Sequence, residues 1–183
     1  MCGVTYLFKT QRLGFKLWGE NDLKAFTEMN SDPETMRFFV ELMDHKASKK
    51  KMIQMNKMYE DHGYCYFCVN LLFTGEFVGT IGLGYKDFDT DFAPCTDIGW
   101  RIQKKFWNQG LSTEGAKACL NYAKQLGLRE IVSMATIGNQ ASIRIMEKIG
   151  MEYWQEFDHP ELKESPHLNP MALYRIKLNG ADQ

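Results

Sequence analysis

The sequence has no long hydrophobic run, almost no net charge and few histidines, and each shortage removes a class of function. No apolar stretch approaches the roughly 18 residues a membrane span needs, so no membrane partner is expected. Lysine plus arginine number 22 against 23 aspartates and glutamates, a formal net charge of −1. Nucleic acid as a partner would favour a basic balance and is not expected either. His45, His62, His159 and His167 show no ligand spacing, and no metal site is expected. Five cysteines, an odd number, read as reduced thiols rather than a disulfide framework, which points to the cytoplasm. Cys65 and Cys68 have C-x-x-C spacing, but residues three apart on a strand face opposite ways, so both are expected in the core. The segment MCGVTYLFKT is too short in its apolar part for a secretory leader, and Gly3 does not follow Met1 directly, as a myristoylation pattern requires.

What is present suits one domain, 1–183, able to bury about 70% of its unfolded surface. "RLGFKLW" reads as a first strand. "ENDLKAFTEMN" and "KASKKKMIQMNKMYEDHG" read as amphipathic helices, with Leu23, Phe26 and Met29 on one and Met52, Met55, Met58 and Tyr59 on the other. "YCYFCVNLL" and "EFVGTIGLGY" form a hairpin around "FTGE", and "CTDIGWRIQ" is a third member. A helix from about Leu111, the strand "REIVSMAT", the helix "NQASIRIMEKIGM" and the strands "MEYWQEF" and "MALYRIKL" complete the chain. Gly127-Leu128 and Gly150-Met151 suit Schellman-type helix ends. The order predicts an α/β fold with a mixed central sheet of about seven strands and about four helices.

The stretch "KKFWNQGLSTEGAKACLNYAKQLG", Lys104 to Gly127, opens a helix on a bare glycine turn. Ser112 is a candidate cap, yet Gly115 stands where a capping box needs Glu or Gln. Gly110 lets the backbone approach a ligand without a Cβ in the way, and the first amides of a helix lack internal partners. Asn108, Gln109, Gly110, Leu111, Ser112 and Thr113 are therefore candidates to bind an anion, with Lys104 and Lys105 adding attraction. From the residues alone, a plain strand–helix connection is an equal reading. No G-x-x-x-x-G-K-[ST] run exists, and "GTIGLG" opens no helix, so nucleotide loops of those types are excluded. "DFDTD" begins like a calcium loop, but Phe92 and Ile98 stand where Gly and Glu belong. A polar loop, or acids that attract a cationic amine, is the alternative.

"DIGWRIQKKFWNQGLSTEGAKACLNYA" resembles the acyl-coenzyme A site of the GNAT superfamily of N-acetyltransferases. The family loop, [R/Q]-x-x-G-x-[G/A], falls on Trp107, Gly110 and Ser112, so two of three positions depart from the strict motif. A Trp-x-Gln-Gly run followed by Thr-Glu is common in the branch of ribosomal-protein N-terminal acetyltransferases. "FVGTIGL", "NQASIRIMEKIGM" and "FDHPEL…ALYRI" extend the likeness, in order, over most of residues 10–178.

The resemblance implies the GNAT fold, with strands splayed at the acyl-CoA site, and acetyl-CoA as cosubstrate. It implies direct attack of a primary amine on the thioester. It places Asp97 as the base, where a strand carboxylate is an equal reading. Backbone N–H near Arg101 or Ile102 becomes the oxyanion donor, with pantetheine along Ile102 and Gln103. Ser142 is the implied acid, and Asn139 holds the pantetheine arm, although Asn139 is equally an N-cap. The acceptor is a small-molecule amine or a peptide N-terminus, and the protein a monomer or homodimer. A coenzyme A-binding sensor without catalysis is the alternative.

Overall fold

Eight strands form one sheet in the computed structural model, which describes residues 5–178. They are β1 (Phe8–Lys9), β2 (Leu13–Lys16), β3 (Tyr66–Leu71), β4 (Phe77–Lys86), β5 (Cys95–Ile102), β6 (Glu130–Thr136), β7 (Glu152–Phe157) and β8 (Met171–Lys177). The order across the sheet is β1-β2-β3-β4-β5-β6-β8-β7. Four helices flank it: α1 (Leu23–Ser31), α2 (His45–His62), α3 (Leu111–Gln125) and α4 (Gln140–Lys148). One strand exceeds the expected number. The two residues of β1 are too few to show a period, and Phe8 is fixed from outside by stacking on Phe15 and Tyr122. Met1, Cys2, Gly3 and Val4, on which the leader and lipidation expectations rest in part, lie outside the described residues.

The helices form where apolar spacing and end signals agree. α1 buries Leu23, Phe26 and Met29; α2 buries Met52 and Met55 and turns Lys46, Lys49, Lys50 and Lys57 outward, with Lys51 half-buried. The Asp44 carboxylate caps α2 by accepting from the Ala47 N–H at 2.7 Å. α3 and α4 both close in Schellman geometry, with Leu128 N–H bonded to the Ala123 carbonyl and Met151 N–H to the Met146 carbonyl.

Two faces of the sheet follow from register. Ile81, Leu83, Ile98 and Trp100 point toward α3, where Gly115 allows the helix to approach Ile81. Tyr66, Thr80, Gly82, Gly84, Asp97, Gly99 and Arg101 share the opposite face, against which α1 and α2 lie. Cys65 and Cys68 are both buried, and neither is disulfide-bonded.

All pairs in the sheet are antiparallel except β5 with β6, which is parallel and registers at one place only, Asp97 opposite Val132. Beyond that bridge β6 continues alongside β8 through Thr136, while β5 stays with β4 to Ile102. The sheet therefore opens into a gap between β5 and β6.

Candidate active site

The gap exposes backbone that a regular sheet would consume. The Gln103 N–H donates to the Val78 carbonyl on β4 at 2.9 Å. Alternation along an antiparallel strand then turns the groups of Asp97, Gly99 and Arg101 toward β4, and those of Ile98, Trp100 and Ile102 toward β6. At the apex the Ser133 hydroxyl donates to the Ile98 carbonyl at 2.9 Å. Farther out the Trp107 indole N–H donates to the Ile102 carbonyl at 2.9 Å. Among the described residues, the Trp100 N–H and C=O and the Ile102 N–H remain open to the gap.

Two of the expected backbone contacts are turned away from the gap. The Arg101 backbone faces β4, so its N–H is not open to the gap. Gln103 is unavailable to pantetheine, because its N–H serves Val78 and its carbonyl accepts from Phe106 N–H at 2.9 Å. The Trp100 backbone groups, not those of Gln103, are open to the gap. The Trp107 indole is bonded to the Ile102 carbonyl and braces the turn.

From Lys104 to Phe106 the chain makes one 3₁₀ turn, then reverses through Asn108 (φ 60°) and Gly110 (φ 76°) into α3. Glu114 N–H bonds to the Gly110 carbonyl as the first helical bond. The six amides from Asn108 to Thr113 have no protein acceptor among the described residues. The left-handed backbone at Gly110 suits glycine and leaves the amides bare beside the open end of β5. Gln109 stiffens the turn, since its side-chain amide donates to the Lys105 carbonyl at 2.9 Å. Lys104 pairs with Glu34 and Lys105 with Glu76, so the attraction expected of these lysines is largely spent on neighbouring acids.

Arg12 is the cation at the turn that sequence reading missed. Its Nη1 donates to the Gln109 carbonyl at 3.0 Å and its Nε to Glu114 at 2.6 Å. Burial raises the Glu114 carboxyl, but hydrogen bonds from Thr10 and Arg12 outweigh it and bring the group below its usual range.

On the α1–α2 face, Asp97 is buried beneath Tyr66, whose hydroxyl donates to the carboxylate at 2.5 Å. Burial pushes the Asp97 carboxyl up, opposed by Lys86, the Tyr66 hydroxyl and Lys51. Gly84 makes the pair possible: a Cβ there would meet the Tyr66 hydroxyl at 2.6 Å and the Asp97 carboxylate at 2.7 Å. The glycine alternation at 82 and 84 was the signal for this close approach, although it did not reveal what approaches.

Across the gap, Asn139 accepts from the Ser142 N–H at 3.2 Å and so caps α4 with its side-chain oxygen, leaving its amide nitrogen without a partner among the described residues. Ser142 lies in the first turn of that helix. The gap thus has Asp97 and the open N–H groups on its β5 side and Asn139 and Ser142 at the end of β6. Among the described residues no group of three His, Cys, Asp or Glu side chains could hold a metal, and no helix is long and apolar enough to cross a membrane.

A parallel strand pair that parts and runs into a turn of bare amides defines a class of acyl-group transferases. The chain belongs to the GNAT acetyltransferase family: the family's "Acetyltransferase (GNAT) domain" matches residues 12–152. It is 28% identical to the uncharacterized N-acetyltransferase YnaD of Bacillus subtilis over 85% of this chain and 96% of that one. A GNAT-family acetyltransferase crystal structure from Bacillus anthracis is 28% identical, covering 92% of this chain and 96% of the other, with a TM-score of 0.75. RimL, described as a ribosomal L7/L12 alpha-N-protein acetyltransferase in complex with coenzyme A, superposes with a TM-score of 0.75 over 95% of this chain and 98% of its own. At 14% identity that last likeness shows the fold alone.

Proposed function

We propose that this protein transfers acetyl from acetyl-CoA to a primary amine by direct attack. The observation that carries the reading is the run of unpaired amides from Asn108 to Thr113 at the start of α3, beside the open edge of β5. Those amides fit a diphosphate at the positive end of a helix. The Trp100 and Ile102 groups fit an extended amide-bearing arm laid along the strand, as an added strand would be.

Three residues divide the chemistry. Asp97 accepts the proton of the incoming ammonium through a water, because its carboxylate is buried under Tyr66. The amine nitrogen then bonds to the acetyl carbon to give a tetrahedral oxyanion, and collapse of that species breaks the carbon–sulfur bond. The Ile102 N–H, fixed and aimed into the gap, is placed to stabilise the oxyanion. The departing thiolate takes a proton from Ser142, the candidate acid on α4, and the further proton that the nitrogen sheds on becoming an amide returns to the serine through solvent. An α-amine with pKa around 7.8 costs about 1 kcal/mol to deprotonate at pH 7, against about 4.6 kcal/mol for a lysine near 10.4. A buried aspartate reached through water suits the easier of these.

Release of free thiol from acetyl-CoA in the presence of an amine panel that includes N-terminal peptides tests the activity. Coenzyme A at 100 times its dissociation constant should stabilise the fold by about 2.7 kcal/mol. Tight binding without turnover on any amine would favour a coenzyme A sensor, and no thermal response at all would remove both readings.

A further inference from the structure

Arg101 is an arginine without an anion. It is 9% exposed, and among the described residues no acid lies within ion-pair distance. Its Nε has no hydrogen-bond partner, and its Nη1 reaches only the Met36 thioether sulfur at 2.9 Å, a weak acceptor. The guanidinium lies 4.6 Å from the Phe39 ring centroid and 5.7 Å from that of Phe26, so aromatic faces replace part of its water. Burying a charge on those terms is costly unless a partner arrives.

The surroundings repeat the sign. Lys51 on α2 and Lys86 on β4 approach the same face, and neither is in an ion pair among the described residues. Burial pushes the Lys51 ammonium down, and the charges of Lys86 and Arg101 push it further. Burial likewise brings Arg101 to about 10. The carboxylates that answer these cations are Asp97 and Glu161. A polyamine would meet three cations here.

Asp97 and Arg101 stand on one face of β5, four residues and so about 13 Å apart at the backbone. Gly99 lies between them, overlaid by the Tyr66 ring. The segment between α1 and α2 arches over the Arg101 end with Met36 and Phe39, and presents Val40 and Leu42 to solvent. An acceptor on this face would meet the base at one end and an unsatisfied guanidinium at the other.

We propose that the acceptor carries a carboxylate near its amine, and that Arg101 binds this carboxylate and so selects amino-acid-like acceptors over simple amines. The inference rests on the acetyl-transfer reading and deepens it. A guanidinium–carboxylate pair would give Arg101 the anion it lacks, hold the acceptor in one orientation and turn its amine toward Asp97.

Product binding tests the assignment without turnover. The full-length protein, loaded with coenzyme A, is titrated with the N-acetyl derivatives of the twenty amino acids and with the corresponding amides, and thermal shift is read. At least one N-acetyl acid should bind about tenfold or more tightly than its own amide, which is 1.4 kcal/mol. Arg101→Met should abolish that preference while the shift with coenzyme A persists; Arg101→Lys, which keeps the charge, should retain part of it. Equal binding of acid and amide throughout, or a preference that survives in Arg101→Met, would overturn the role of Arg101 and leave the transfer reading standing. No response to coenzyme A in the wild-type protein would overturn both.

Discussion

Ser133 on β6 and Ile98 on β5 are joined by a side-chain hydrogen bond at the point where the two strands part, the serine hydroxyl donating to the isoleucine carbonyl at 2.9 Å. Ser133 is 1% exposed, so the bond is shielded from bulk solvent. The bond lies at the apex of the gap, one residue beyond the Asp97–Val132 bridge.

Ser133→Ala should therefore cost stability and loosen the apex. Leaving a buried carbonyl unsatisfied costs about 1–3 kcal/mol. In a chain of this length each 1 kcal/mol lowers Tm by roughly 2–4 °C. Calorimetry should show that loss, and coenzyme A affinity should fall with it. An unchanged Tm would mean that the β5–β6 bridge alone fixes the split.

Asp97→Asn should separate activity from stability. Because burial raises the Asp97 carboxyl in the folded state, the folded protein holds its proton to higher pH than the unfolded chain does. Stability from this group is present below the unfolded pKa and is lost as pH rises through the folded one. The asparagine variant should thus gain in Tm at pH 7 relative to wild type, and the gain should vanish toward pH 3. Its kcat/KM should fall about 10²–10⁴-fold if Asp97 is the base. Tyr66→Phe removes a donor that favours the carboxylate, so the acid limb of the rate profile should move to higher pH. A limb that stays in place would separate Tyr66 from the titration.

Gly110→Trp should weaken coenzyme A by at least about tenfold, or 1.4 kcal/mol, while leaving pantetheine unaffected. The reason is local: the Gly110 backbone is left-handed, and a large side chain there would stand in front of the bare amides. Comparing the two ligands by calorimetry isolates the diphosphate. Equal losses for both would place the defect in the fold of the turn.

The elements that could be read from sequence are those whose signal is local. α3 and α4 carry a helical spacing and a glycine stop, and Gly110 with its uncapped amides can be seen in a dozen residues. The direction of the β5 groups could not be read, because it is decided by which β4 carbonyl Gln103 meets, and only pairing across the sheet decides that. Tyr66 and Asp97 are 31 positions apart in sequence and meet through register. Arg12 lies 102 positions from Glu114 and reaches the turn because the adjoining Leu13 and Phe15 of β2 lie against Gly115 of α3. The charge of the α1–α2 face was likewise invisible, since an overall charge of −1 averages over surfaces that differ in sign.

Arg12 gives the last prediction. Glu114 stands in the first turn of α3, where a carboxylate interacts favourably with the helix but repels a second anion at the same amides. Thr10 and Arg12 draw that carboxylate to one side, and Arg12 offsets its charge while holding the Gln109 carbonyl out of the turn. Arg12→Ala should therefore weaken coenzyme A by an amount set by a screened charge at a helix terminus, about 0.3–1 kcal/mol. Adding Glu114→Gln should recover most of the loss, because the repulsion that Arg12 masks is then gone. Calorimetric titrations of the two single variants and the double variant form a cycle whose coupling term reports the masking directly. Additive losses would show instead that Arg12 touches the ligand itself, and a rise in ionic strength would then weaken wild-type binding more than that of Arg12→Ala.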